Sequence, residues 1–168
     1  MSMRFSAVFV LALAGAPLAA AQAGGHAHDH HNNHHHNHHH EHSASAEMES
    51  LQRPADGGKW ATDEPLRQGM GELNEAFAEH HRAFEEGEFD SGSAAELADV
   101  INDKVNFMFA NCSLPAEPDA ELHKLLAAAV GAAVKLRESD DAHDGLHQLH
   151  QVLRAYDSYF EHPGWDGR

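Results

Sequence analysis

From Trp60 onward the apolar residues recur every third or fourth position, and no alternating run of β-branched residues interrupts them. That period belongs to the α-helix, where such positions share one face. A first helix is expected from Thr62 as N-cap, with Asp63, Glu64 and Pro65 in the turn where acids and proline are favoured. Its stripe is Leu66, Met70, Leu73, Phe77, His80 or His81, and Phe84, and Gly87 ends it. A second helix opens on the capping-box spacing Ser93-x-x-Glu96 and carries Leu97, Ile101, Val105, Met108 and Cys112. "SLPAEP" breaks the chain. A third helix follows from about Pro118 with Leu122, Leu125, Leu126, Ala129, Val130, Ala133 and Leu136. After "ESDDAHDG" a fourth runs from Ala142 to Phe160 through Leu146, Leu149, Leu153 and Tyr156, and His162-Pro163-Gly164 stops it. Four similar amphipathic helices with short connections predict an all-α fold, an antiparallel up-down-up-down four-helix bundle over residues 59–164.

The residues before Trp60 have another character. "MSMRFSAVFVLALAGAPLAAAQAGG" has an early Arg4, an apolar run and an Ala21-Gln22-Ala23 cleavage pattern, so residues 1–23 are expected to be a secretory signal peptide. The apolar run is short for a membrane span and lacks a basic flank behind it. The mature chain is therefore expected in the periplasm or outside the cell, with no membrane span after cleavage. Residues 24–58 are rich in Gly, His, Asn, Ser and Glu. They hold too little apolar surface to offset the entropy of ordering, and a disordered arm is expected there.

Within that arm lies "HAHDHHNNHHHNHHHEH", residues 26–42, with eleven histidines in seventeen positions. They are His26, His28, His30, His31, His34, His35, His36, His38, His39, His40 and His42. Asp29, Asn32, Asn33, Asn37 and Glu41 interrupt the run, unlike a purification tag, and a signal stands upstream. Neutral imidazole is a ligand common to zinc, copper and nickel. A disordered run of it offers many interchangeable coordination sets, which favours capacity over selectivity. A spacer role is the plainer alternative, which Ser or Gly would serve as well.

Formal charge is −16 with histidine neutral, which argues against a nucleic-acid partner and for binding cations. Cys112 is the one cysteine in the sequence, so no disulfide within the chain is available. Antiparallel helices would bring Met70, Met108, Cys112 and His123 to one end of the bundle, within one or two turns of a common level at about 1.5 Å rise per residue. Thioether, thiolate and imidazole together form a soft set that selects Cu(I). The competing role for each is ordinary: methionines that fill core gaps, a small buried thiol, a half-exposed histidine. The opposite end gathers His80, His81, His143, His147 and His150 near Asp140, Asp141 and Asp144. His143 and His147, four apart, would reach one Zn(II) or Cu(II) from one helix face. Solvated surface histidines are the alternative there.

"WATDEPLRQGMGELNEAF" and the three helices after it resemble the soluble periplasmic cytochromes of the four-helix b and c′ types, over residues 60–162. The b-type resemblance implies a haem ligand at Met70 and a histidine late in the fourth helix. The matching stretch "RAYDSYFEHP" instead holds Tyr156, Asp157 and Phe160, with His162 beyond the helix, and a lone Cys112 leaves no C-x-x-C-H haem attachment. The sequence also resembles His-rich periplasmic bundle proteins of proteobacteria linked with metal handling. No nucleophile–base pair or phosphate-cradling loop is visible, so an enzyme is not expected. The expected function is metal buffering, storage or delivery: Cu(I) at the bundle, with zinc, nickel or Cu(II) on the arm. A periplasmic metal transporter or sensor is the expected partner. The alternatives are a haem electron-transfer bundle and a metal-dependent interaction module.

Overall fold

The computed structural model describes residues 46, 48–138 and 142–167. Residues 1–23, expected to be a signal peptide, the histidine run, Asp140 and Asp141 lie outside the described residues. Within them the fold is all-helical: α1 (Glu64–Glu85), α2 (Ser91–Asn111), α3 (Ala116–Glu138) and α4 (His143–Tyr159), with no strand among the described residues. Each helix packs on the next, and α1 also packs on α4. No helix among the described residues is long and apolar enough to cross a membrane.

Carboxylates set the starts of the first two helices. Asp63, rather than Thr62, caps α1: its Oδ1 accepts from Leu66 N at 3.0 Å, while the Thr62 hydroxyl donates to Glu161 O at 2.6 Å. Asp63 Oδ2 also accepts from Ser113 N at 2.6 Å, pinning the entry of α1 to the connection between α2 and α3. Likewise Asp90 caps α2, accepting from Ser93 N at 2.8 Å and from the Ser93 hydroxyl at 3.1 Å, in place of the expected Ser93–Glu96 box. The Asp90 cap takes the Ser93 N–H instead and starts α2 earlier than the expected box would. After α1 the chain turns at Gly87, whose φ of 76° is left-handed and suits glycine.

The core follows the expected stripes, with exceptions at the rim. Leu66, Met70 and Leu73 from α1, Leu97, Ile101 and Met108 from α2, Leu122, Leu125 and Leu126 from α3, and Leu149 and Tyr156 from α4 are all buried. Val130, expected in the core, is 37% exposed. It stands one residue past Ala129, roughly 100° round the helix axis, and that step takes it off the buried face. Phe84, also expected inside, lies at the edge, 36% exposed, with its ring 6.1 Å from Phe89 and 6.0 Å from His143.

Two glycines allow close helix approach. A Cβ on Gly69 would come within 2.5 Å of Met108 Cγ, and one on Gly145 within 2.9 Å of the Leu136 backbone N. Between α3 and α4, Gln148 Nε2 donates to Ala128 O at 2.7 Å in the interior. Ion pairs tie Glu72 to Lys104 between α1 and α2, and Asp99 to Arg137 between α2 and α3.

Residues before α1 and after α4 are also seated, which moves the edge of the ordered domain earlier than residue 58. Leu51 is 7% exposed, Gln52 N donates to Glu121 Oε2 at 2.9 Å, and the Trp60 indole donates to Gln52 O at 2.8 Å. Trp60 N donates to Tyr159 O and Glu161 N to Trp60 O, both at 2.8 Å, closing a short parallel bridge between chain entry and chain exit. Beyond it, Trp165 turns back edge-on to Tyr156 with centroids 4.9 Å apart.

Candidate metal centre

The four residues expected to form a soft site come from three helices, and their environments differ. Met70 and Met108 are fully buried, and Met108 lies over Gly69, where a Cβ would meet its sulfur at 2.9 Å. Cys112 forms the C-cap of α2, its N–H donating to Met108 O at 2.9 Å, and its side chain is half-buried. Burial pushes its thiol up to about 12, and the charge and hydrogen bond of Asp63 and the charge of Asp119 add to that. The group is therefore a thiol at neutral pH, whereas metal coordination requires the thiolate. His123 is exposed on α3, its Nδ1 2.8 Å from Asp119 O and 3.5 Å from Asp119 Oδ2, with its ring 5.1 Å from Phe109. Cys112 and His123 thus flank the same carboxylate, Asp119, while the two methionines belong to the packed interior.

At the other end the histidines line the seam of α1 and α4. His143 and His147 stack with centroids 6.0 Å apart and planes 10° from parallel, and Asp144 Oδ1 lies 3.7 Å from His143 Nδ1. His80 Nδ1 is 2.9 Å from Ala76 O, one turn back on its own helix. His81 lies 5.3 Å from the Phe77 ring, and His150 stacks on the same ring. Burial lowers the pKa of His150, and Arg154, His81 and His147 lower it further by repulsion. Among the described residues, no three His, Cys, Asp or Glu side chains converge so as to hold one metal ion.

The residues do not fit a haem. Met70 is enclosed by core side chains, and the late α4 position is filled by Tyr156 and Phe160, fully buried and stacked at 5.5 Å. The Tyr156 hydroxyl is 3.0 Å from His162 Nδ1, so that imidazole faces a phenol.

Sequence reasoning missed the part played by the C-terminal turn. A groove of about 710 Å³ along α1 is lined by Asn74, Phe77, His81, Arg82, Glu85 and Asp166 among others. Asn74 Nδ2 donates to Asp166 O at 3.4 Å, while the buried Asn74 Oδ1 and the Trp165 indole nitrogen have no hydrogen-bond partner among the described residues. An Asn within a helical stripe was the available signal, since burial there demands a partner. No family model, no curated protein and no solved structure matches the chain.

Proposed function

We propose that the chain is an exported transition-metal-binding protein that buffers, stores or delivers copper, with zinc and nickel as competing ions. The observation that carries this is the density of imidazole in residues 26–42, eleven in seventeen positions, in a chain of formal charge −16. Many neutral donors on one segment favour capture, and the acidic background draws cations toward it. The protein acts as a binder rather than a catalyst, in the periplasm or outside the cell, and passes its ion to a transporter or sensor.

In this reading the bundle is the platform for the arm, with helices alternating in direction. Support for the alternation comes from contacts whose order reverses between neighbours. Gly69 faces Met108 while Glu72 faces Lys104, and Phe77 meets His150 while Phe84 meets His143. A selective Cu(I) site using Cys112 and His123, with Met70 and Met108 behind them, ranks second to the arm. It requires the thiol to lose a proton that its surroundings retain.

Metal analysis of protein isolated from the periplasm, with and without residues 26–42, tests the reading. Several equivalents of metal in the intact chain and a large loss on deletion are expected. Equal metal in both forms would discard the arm as the collector. Cu(I) titration of the arm-deleted protein against its Cys112→Ala variant tests the bundle site, and equal affinity would remove the cysteine from it.

A further inference from the structure

The outward face of α3 carries a stripe of small and apolar residues. Its exposed positions include Ala116, Ala120, His123, Ala127, Val130 and Val134, stepping four and three by turns. That is the 3.5-residue period of a helix–helix seam, and here it runs along the solvent side. Between Asp119 and Lys135 the stripe itself carries no fixed charge, and Lys124 on its flank pairs with Glu121, in a chain of formal charge −16. Val130 is 37% and Val134 42% exposed, and Phe109 of α2, 52% exposed, stands beside the stripe against His123. Three of the four exposed large hydrophobic residues described therefore border this one face.

We propose that α3 packs antiparallel against α3 of a second copy, about a two-fold axis at Ala127. The charge pattern selects this occupant. The first turn of α3 carries Glu117 and Asp119, and the last carries Lys135 and Arg137. At about 100° per residue, Glu117 and Lys135 lie on one flank of the stripe and Asp119 and Arg137 on the other. A two-fold operation keeps each flank on its own side while reversing its direction. Each acid of one copy thus comes opposite a base of the other at both ends, Arg137 while also paired with Asp99 of its own chain, and the helix dipoles oppose. The same register sets Val134 over Ala120 and Val130 beside His123, large against small, with alanines at the centre where the helices approach closest. Two such acidic chains would repel through most other faces. This one is neutral along its middle and self-complementary at its ends.

Sedimentation equilibrium of the full chain tests this, run in EDTA so that metal cannot bridge two arms, up to about 0.5 mM, as a small interface requires. A monomer–dimer equilibrium is expected, weakened roughly tenfold or more by Val130→Asp and unchanged by Phe84→Asp on the far side. A monomer at the highest concentration, or a dimer indifferent to Val130→Asp, overturns the proposal. In a Cys112→Ser background, Ala127→Cys is expected to cross-link to itself when diamide oxidises the paired thiols. A rate no faster than that of Glu79→Cys overturns it too, and this alanine replacement perturbs no core contact.

Discussion

The imidazole of His150 lies on the ring of Phe77, centroids 5.4 Å apart and planes 15° from parallel. This places an ionisable ring of α4 against an apolar ring of α1, with Arg154, His81 and His147 around it. Burial chiefly lowers the His150 pKa, and burial lowers that of His162 as well. For a histidine depressed in the folded state, the unfolded chain binds protons first as pH falls below about 6.5. Stability is then fully present above that pH and is lost as pH drops through the folded values. Thermal melts in EDTA are expected to show Tm falling from pH 7 to pH 5, with a shallower fall in His150→Gln. An unchanged slope would mean that His150 is not held neutral.

Gly145 and Gly71 are expected to respond oppositely to alanine. A Cβ at Gly145 meets Leu136 Cγ at 2.6 Å and its backbone N at 2.9 Å, whereas at Gly71 nothing lies within 4 Å. Overpacking against backbone costs about 1–3 kcal/mol, and filling an open helical site gains about 0.5–1 kcal/mol. Denaturant unfolding is expected to show Gly145→Ala destabilised and Gly71→Ala stabilised, and the same sign for both would contradict the packing described.

Asp63 links a helix cap to a thiol. Removing the cap in Asp63→Ala should cost about 1 kcal/mol. Asp63→Asn keeps a capping oxygen but removes the charge that, after burial, holds the Cys112 thiol protonated. Alkylation of Cys112 in Asp63→Asn is expected to shift its pH profile downward and run faster at pH 8. Identical profiles would separate the two residues.

Metal held by imidazoles must leave on acidification, because protons compete for the ring nitrogen at a reference pKa of about 6.5. Dialysis at neutral pH followed by pH 5 is expected to strip most bound zinc or copper from the intact chain. Retention at pH 4.5 would point to ligands other than the arm.

Much of the helical layout was legible in the sequence because burial imposes its period directly: Leu66, Met70, Leu73 and Phe77 fall where expected. Helix starts were less so. Thr62 and Ser93 are good capping residues, but Asp63 and Asp90 take the caps through Leu66 N and Ser93 N, and a partner such as Glu161 O cannot be seen locally. Val130 shows the limit of a stripe read one helix at a time, since valine suits either face until the neighbours are placed. Leu51 and Trp165 were out of reach for a related reason: each packs through partners far away in sequence. The proximity of Cys112 to Asp63, across 49 positions, depends on where α1 and α2 cross.

The pair of hydrogen bonds between Trp60 and residues 159 and 161 leaves the first and last strides of the domain side by side. A polypeptide joined there end to start would be a closed loop of helices, and opening it at the exposed Gly87 turn would sever no core contact. Such a circular permutant is expected to keep the four-helix core.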